Sequence, residues 1–296
     1  MDGGTVRASS SNSPTNSPDS APNPGADPAA DPPADASFHV ALVQLRVDPD
    51  EPVSARRERT AALVRAQRGA DLVVLPELWP VGAFAFDRFE AEAEPARHGP
   101  TAEAMSAAAR DAGVWLHAGS VVERAPGGEL FNTSLVFSPD GELAATYRKI
   151  HRFGFDRGEA TLMDAGTQPV TVPHPSAVLG LATCYDLRFP ELFRALVDAG
   201  ARLLVVPAGW PARRAAHWSL LARARAVENQ CYVLACGTAG THAGVLQAGH
   251  SAVIDPWGEV VAEASDTEER VLTAVIDPAE VGRVREKFPA LKDRVL

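Results

Sequence analysis

The chain has 296 residues, of which 46% are hydrophobic and 22% are charged, and its formal net charge is −10. This composition is typical of a soluble globular enzyme. The acidic balance argues against a nucleic-acid partner and against docking on anionic lipid, because both require a basic surface. The chain has three cysteines, a small and odd number that argues against a disulfide framework. This favours a reducing cytoplasm.

Targeting signals are missing from the sequence as it stands. No stretch reaches about 18 consecutive apolar residues, so no transmembrane helix is expected. The first residues lack the apolar core of a secretory signal, so no such signal is expected. We therefore expect a cytoplasmic protein with no membrane partner.

Residues 1–37 differ in composition from everything that follows. They are rich in Pro, Ser and Ala and carry almost no bulky apolar side chain. Burial could not offset the entropy lost on ordering such a segment, so we predict a disordered tail over 1–37. A partner-binding peptide is the alternative. The rest of the chain, 38–296, is predicted to be one folded domain.

From Phe38 onward, short apolar runs alternate with segments of helical spacing. Apolar runs of this length predict buried strands, and turn residues between two runs predict hairpins. The predicted strands are 38–45, 71–75, 114–123, 135–137, 144–147, 177–183, 202–206, 231–236, 251–254 and 259–262, and the predicted helices are 53–69, 101–112, 191–199 and 215–229. This order predicts an α/β protein whose sheets need helices on their outer faces.

Several common site motifs are absent. No two of the eight histidines have the spacing of a zinc site, and the sequence has no Cys-x-x-Cys, no Walker sequence and no Gly-x-Ser-x-Gly. The stretch Gly237–Gly240 follows a predicted strand but lacks the spacing of a dinucleotide-binding loop. We therefore expect neither a metal nor a nucleotide cofactor.

Three short segments place an unusual polar group where a predicted strand ends. Glu77 follows an apolar run, Lys149 follows the first hairpin, and Cys184 follows another apolar run. Strand ends of this kind are where α/β folds place their ligands. Taken singly, each residue also has a purely structural interpretation: a salt-bridged loop acid, an exposed strand lysine and an inert buried thiol.

Together these three groups have complementary chemistry. A cysteine needs a base to become a nucleophile, and Glu77 could supply it. An acyl-transfer intermediate needs a cation or N–H donors for its oxyanion, and Lys149 with the backbone N–H of Tyr185 could supply them. The spacing along the chain does not show that the three side chains meet.

These segments resemble the nitrilase superfamily of carbon–nitrogen hydrolases, whose members carry a Glu–Lys–Cys triad in such contexts. The resemblance covers the chain from about Phe38 to Phe288. It implies a four-layer α-β-β-α sandwich, a catalytic triad of Glu77, Lys149 and Cys184, no cofactor, no metal, and a homodimer formed through helices outside the sheets. The stretches that carry it are Leu75–Glu77, Tyr147–His151, Cys184–Pro190, His217–Gln230 and Gly249–Gly258.

Within the superfamily, the sequence around Cys184, with Gly209-Trp-Pro and the later stretch 285–289, is most similar to the omega-amidases. The resemblance implies an amidase that hydrolyses the terminal carboxamide of a small acid such as 2-oxoglutaramate, through a cysteine thioester, and releases ammonia. The alternatives are a deaminated-glutathione amidase, another amide or nitrile hydrolase, an acyl transferase, a redox-sensing cysteine, and a non-enzymatic dimeric scaffold.

The resemblance also suggests substrate-binding residues. Glu159 is the best match to a second active-site glutamate, with a solvated loop acid as the alternative. A substrate carboxylate calls for an arginine fork. Arg188 is the first candidate and Arg214 the second, although either could be an ion-pair partner instead. Tyr185 and Trp210 either line the pocket or simply pack.

Overall fold

The computed structural model describes Met1, residues 37–264 and residues 267–295. The predicted disordered tail over 1–37 therefore lies outside the described residues, apart from Met1 and Ser37. The described strands, in chain order, are β1 (Phe38–Gln44), β2 (Leu72–Val74), β3 (Trp115–Arg124), β4 (Leu130–Phe137), β5 (Leu143–Arg148), β6 (Val170–His174), β7 (Ala177–Leu181), β8 (Leu203–Ala208), β9 (Tyr232–Gly237), β10 (Thr241–His242), β11 (Val245–Leu246), β12 (Ala252–Ile254), β13 (Val260–Glu263) and β14 (Arg270–Ile276).

The strands form two six-stranded sheets of similar design. The first has the order β14-β1-β2-β3-β4-β5 and the second the order β13-β12-β9-β8-β7-β6, while β10 and β11 pair separately. In each sheet the three central strands are parallel and the outer ones antiparallel. The described helices are α1 (Val53–Arg65), α2 (Phe89–Glu92), α3 (Pro100–Ala112), α4 (Glu159–Leu162), α5 (Pro190–Asp198), α6 (Ala215–Asn229) and α7 (Glu280–Lys287).

Side-chain alternation along β1 shows how the layers stack. Val40 and Leu42 pack in a core shared with the second sheet, whereas Ala41 and Val43 pack with residues of α1 and α3. Successive side chains of a strand point to opposite faces, so a strand apolar on both faces needs a partner layer on each side. On the far side of the second sheet, α5 and α6 cover β7 and β9. The result is the four-layer α-β-β-α sandwich that the resemblance implied.

Two of the outer helices, α3 and α5, begin with a proline. α3 begins with Pro100 at its first position and ends at Gly113, whose φ of 70° is left-handed. Proline is preorganised for a helix start and glycine tolerates the left-handed cap. α5 likewise begins at Pro190, directly after the turn that carries Cys184. The turn ends at Arg188, and only Phe189 separates it from Pro190, the first residue of α5.

The predicted hairpins and most predicted elements are confirmed. The turn Ser138–Gly141 joins β4 to β5, the turn Asp255–Gly258 joins β12 to β13, and α6 has the predicted bounds. Sequence analysis did not predict β6, β14 or α7. β14 lies at a sheet edge and much of it is exposed, although most residues from Val271 to Ile276 are apolar, so this strand was overlooked and not hidden by its sequence. No described helix is long and apolar enough to cross a membrane.

Two buried histidines make the stability of this fold depend on pH. His117 on β3 is 0% exposed, and burial lowers its pKa to about 4. His242 is 2% exposed; burial, with a smaller contribution from the charge of Arg56, lowers its pKa to about 4. His117 Nε2 and both ring nitrogens of His242 have no hydrogen-bond partner among the described residues. Both side chains are therefore neutral in the folded protein.

We expect the free energy of unfolding to fall as the pH is lowered from about 6.5 to about 4, because the unfolded chain binds protons that the folded chain excludes. Each histidine should account for about 2 kcal/mol of that loss at about pH 5. Urea unfolding of the wild type, His117→Gln and His242→Phe at about pH 7 and about pH 5 measures the effect. A variant with the same pH dependence as the wild type would contradict it.

Candidate active site

A pocket opens where the ends of β2, β5, β7 and β8 meet. Strand ends of both sheets converge there, so the loops that follow them place polar groups around one space. The pocket is lined by all eight residues singled out from the sequence, together with five others: Glu77, Lys149, Glu159, Cys184, Tyr185, Arg188, Trp210 and Arg214, and Ala83, Phe84, Phe153, Gly209 and Pro211.

A buried lysine forms the centre of the pocket floor. Lys149 Nζ donates hydrogen bonds of 2.7 Å to Glu77 Oε1 and 2.7 Å to Glu159 Oε2. The three residues are only 2%, 2% and 3% exposed, respectively. Asn132 Nδ2 donates to the same two carboxylates, at 2.9 Å to Glu77 and 2.6 Å to Glu159. One cation and one amide thus hold two buried carboxylates in fixed positions.

The backbone around Glu77 fixes the direction of its carboxylate. The residue lies in the loop after β2, and the following Leu78, with a left-handed φ of 44°, donates its N–H to Ser120 Oγ on β3 at 2.9 Å. From the other sheet, the N–H of Gly209 donates to Glu77 Oε2 at 2.8 Å. Both oxygens of the carboxylate therefore have donors, and one of those donors comes from the second sheet.

The segment that follows β5 fixes the positions of Lys149 and Glu159. The N–H of Lys149 donates to the carbonyl of Asn132 on β4 at 2.9 Å, which extends the hairpin by one residue beyond β5. Glu159 is the first residue of the short helix α4, and Glu159 Oε2 also accepts the N–H of Phe153 at 2.9 Å. The predicted alternative of a solvated loop acid for Glu159 is wrong, because the side chain is buried on Lys149.

Cys184 occupies a strained turn between β7 and α5. Its φ is 48°, a left-handed value that costs a non-glycine residue roughly 1–3 kcal/mol. The residue begins a 3-10 turn, Cys184–Arg188, whose start is closed by reciprocal hydrogen bonds between Thr183 and Asp186. Cys184 Sγ lies 3.6 Å from the carbonyl oxygen of Gly209 and the residue is 7% exposed. The turn thus places Cys184 where the apolar core borders the pocket.

The charges around the thiol favour its neutral form. Burial raises the pKa of the Cys184 thiol well above its usual range, the Glu77 carboxylate raises it further, and the Lys149 ammonium opposes both. Burial works against the charge of Lys149, but the carboxylates of Glu159 and Glu77 outweigh it and raise the pKa of that ammonium. At rest, therefore, the pocket holds a thiol beside a Glu77–Lys149 ion pair.

The mouth of the pocket carries two arginines. The Arg188 guanidinium lies 5.0 Å from the centre of the Trp210 ring, and its Nη2 lies 3.3 Å from His217 Nδ1. The Arg214 guanidinium lies 5.3 Å from the centre of the Phe153 ring. Burial, then the nearby arginines, lower the pKa of Arg214. Neither arginine forms an ion pair with a carboxylate in the part of the chain that the structure describes.

Sequence analysis missed several groups that shape this site. Asn132 bridges both glutamates, and Gly209 donates to one of them, yet neither was assigned a role. Asn132 begins a run of three buried polar residues, with Thr133 and Ser134, between the apolar ends of β4, and this was the signal that could have revealed it. Gly209 acts through its backbone, which leaves no mark in side-chain chemistry. No described group of three or more His, Cys, Asp or Glu residues is arranged to hold a metal ion.

Residues 39–286 match the carbon–nitrogen hydrolase family. Over 262 residues the chain is 43% identical to the 2-oxoglutaramate amidase of Paenarthrobacter nicotinovorans, an alignment that covers 86% of this chain and 88% of the relative. It is 38% identical to an omega-amidase of Mus musculus over 271 residues, which cover 88% of this chain and 95% of the relative.

Solved structures give the same picture. Nit3 of Saccharomyces cerevisiae, a member of the nitrilase superfamily, superposes with a TM-score of 0.80 at 31% identity, covering 88% of this chain and 97% of that one. An amidase from Nesterenkonia sp. superposes with a TM-score of 0.76 at 25% identity, covering 89% and 96%. In that amidase the acetamide moiety of fluoroacetamide is covalently added to the active-site cysteine.

We expect Lys149→Met to reduce the free energy of unfolding by about 3–5 kcal/mol, because it leaves two buried carboxylates without a counter-charge. Desolvation and mutual repulsion would then raise a carboxyl pKa in the folded protein. An acid whose pKa is raised on folding stabilises the folded protein less as the pH rises. The loss relative to the wild type should therefore be larger at about pH 8 than at about pH 5 in urea unfolding.

The matched control for this measurement is the double variant Lys149→Met/Glu159→Gln, which has only one carboxylate at the position of the pair. Its loss should be smaller and less dependent on pH. An equal loss for Lys149→Met at both pH values would contradict the ion-pair account.

Proposed function

The chain belongs to the carbon–nitrogen hydrolase family and is an amide-hydrolysing enzyme, and from this premise we propose that it works through a thioester on Cys184. The observation that carries the proposal is the convergence of one thiol, one carboxylate and one ammonium in a single buried pocket. Glu77 is the general base, and Lys149 with the N–H of Tyr185 stabilises the oxyanion. The proposed reaction needs no cofactor, because side chains of the protein supply the nucleophile, the base and the acid.

In the first half-reaction, a Glu77 carboxylate oxygen takes the thiol proton and Cys184 Sγ bonds to the amide carbon. The carbonyl π electrons move to oxygen, and Lys149 stabilises the resulting anion. Glu77 then gives its proton to the amide nitrogen, the C–N bond breaks, and ammonia leaves. A thioester between Cys184 and the acyl group remains.

In the second half-reaction, Glu77 takes a proton from water, and the oxygen of that water bonds to the thioester carbon. Collapse of the tetrahedral intermediate breaks the C–S bond and releases the carboxylic acid, while the proton on Glu77 returns to the sulfur. One carboxyl group thus serves in turn as base, acid, base and acid. Glu159 acts by holding Lys149, since both glutamates share that ammonium and the amide of Asn132.

The substrate that best fits the pocket is a small acid with a terminal carboxamide, of the 2-oxoglutaramate type. Arg188 and Arg214 line the mouth and have no carboxylate partner among the described residues, so each can receive the carboxylate of a ligand. Tyr185 and Trp210 lie beside Arg188 and limit the positions that its guanidinium can take. Relatives named as 2-oxoglutaramate amidase and omega-amidase support the same substrate class.

We expect Cys184→Ala to lose ammonia release from 2-oxoglutaramate, because no other group can form the thioester. Glu77→Gln should lower kcat by roughly 10²–10⁴-fold with little change in KM, since it removes the proton carrier and not the binding site. The assay is ammonia release under saturating substrate. Cys236→Ala is the matched control, because that thiol lies in the core at 0% exposure. Full turnover by Cys184→Ala would rule out the mechanism.

We expect Arg188→Ala to raise the KM for 2-oxoglutaramate by roughly 10–100-fold, the loss of one hydrogen-bonded charge pair. Arg214→Ala should have a smaller effect of the same kind. Steady-state kinetics with 2-oxoglutaramate and with a neutral amide of equal length measure the difference. Arg213→Ala is the matched control, since this neighbouring arginine is exposed and outside the pocket lining. Equal losses on both substrates would contradict the carboxylate role.

We also propose that the enzyme is a cytoplasmic homodimer. Its three cysteines are free and buried, which suits a reducing compartment. On α6, Leu220 is 67% exposed and Val227 is 52% exposed, and Trp257 and Phe288 add 42% and 58% exposed rings. Apolar side chains grouped on one outer helix favour an interface between two copies.

Sedimentation analysis of the wild type should give twice the mass of one chain. Leu220→Glu/Val227→Glu should give a single-chain mass, because it places two charges in the apolar contact. The control is Val275→Glu, which changes an equally exposed valine on β14, away from α6. A single-chain mass for the wild type would contradict the dimer.

A further inference from the structure

A fully buried carboxylate lies behind the proposed nucleophile. Asp186 is 0% exposed and accepts four hydrogen bonds. Asp186 Oδ2 accepts the Tyr147 hydroxyl at 2.7 Å and the Thr183 N–H at 2.8 Å. Asp186 Oδ1 accepts the His151 N–H at 2.9 Å and lies 2.7 Å from His151 Nδ1. None of these four donors lines the pocket.

The partners of Asp186 flank the two groups on which the proposed chemistry depends. Tyr147 and His151 lie two residues before and two residues after Lys149, in the segment at the end of β5. Thr183 is the residue before Cys184, in the turn that follows β7. β5 belongs to the first sheet and β7 to the second. Asp186 therefore ties together the neighbours of the ammonium and of the thiol across the two sheets.

The turn needs such a restraint because its conformation is unfavourable by itself. A φ of 48° at Cys184 persists only where the surroundings enforce it. Thr183 is held a second time, because its Oγ1 lies 3.1 Å from Ser134 Oγ on β4. Burial, followed by the charge of Asp186, raises the pKa of the Tyr147 phenol well above its usual range, so the hydroxyl remains a donor.

We infer that Asp186 is a positioning residue: its four hydrogen bonds hold the turn of Cys184 against the segment of Lys149, so that the sulfur and the ammonium face the same substrate atom. The inference rests on the proposed roles of Cys184 and Lys149. Asp186 itself lies outside the pocket lining and touches no substrate. Loss of its carboxylate lets the two segments shift apart, and a misplacement of about 1 Å can cost roughly 10²-fold in rate.

The test compares wild type, Asp186→Asn, Tyr147→Phe and the control Glu94→Gln. Glu94 is also a buried carboxylate, 9% exposed, and it accepts the N–H of Thr101 far from the pocket lining. Three quantities are measured for each protein: the thermal midpoint, kcat and KM for 2-oxoglutaramate, and the rate at which iodoacetamide alkylates Cys184, followed by peptide mass mapping.

Asp186→Asn should lower kcat roughly 10²-fold with a nearly unchanged KM and slow the alkylation of Cys184 in parallel. Tyr147→Phe removes one of the four bonds and should show both effects at roughly 3–10-fold, which keeps the test available if Asp186→Asn does not fold. Glu94→Gln should lower only the thermal midpoint. A wild-type kcat and alkylation rate in Tyr147→Phe or in Asp186→Asn, with loss of stability alone, would overturn the inference.

The alkylation arm also separates this inference from the proposed function. If the wild-type protein releases no ammonia from 2-oxoglutaramate or from other amides, the proposed function fails. A slower alkylation of Cys184 in Asp186→Asn would then still support the positioning role, because alkylation proceeds through the thiolate and so depends on the placement of the thiol beside Glu77 and Lys149, but not on amide turnover.

Discussion

The active-site pocket depends on one buried ammonium shared by two carboxylates. Burying any of these charges alone would cost several kcal/mol, and the short contacts from Lys149 to Glu77 and Glu159 compensate for much of it. The compensation works only if both carboxylates are held at hydrogen-bond distance, and this accounts for the additional donors from Asn132 and from the backbone of Gly209. Every other feature of the site is arranged around this cluster.

The sandwich supplies the rigidity that such a cluster requires. Glu77 and Lys149 follow strands of the first sheet, whereas Cys184 and Gly209 follow strands of the second. The close-packed apolar core between the sheets therefore sets the distance between the proposed nucleophile and the proposed base. Because burial and the neighbouring Glu77 carboxylate raise the pKa of the Cys184 thiol, we propose that the thiol proton is transferred as the sulfur attacks the substrate and not before.

The family resemblance implied the sandwich, and the sequence singled out eight of the thirteen residues that line the pocket, because strand ends, turn residues and the family motifs carry strong local signals. It did not predict the groups that link those residues. Asn132 and Asp186 act by joining segments far apart in the chain, and a single sequence records no such pairing. Gly209 contributes only a backbone N–H. The helix α7 was missed because only two valines interrupt its charged residues, whereas β14 was overlooked although most residues from Val271 to Ile276 are apolar.

In this structure the Lys149 ammonium is hydrogen-bonded to Glu77 and Glu159, and we therefore expect the Cys184 sulfur to be a neutral thiol in the free enzyme. An ultraviolet titration of thiolate absorbance, taken as the difference between wild type and Cys184→Ser, tests this directly. The account predicts no thiolate signal from Cys184 through about pH 9, the ordinary range of a free thiol. A signal that rises near neutral pH would show a resting thiolate paired with Lys149 and would contradict the account.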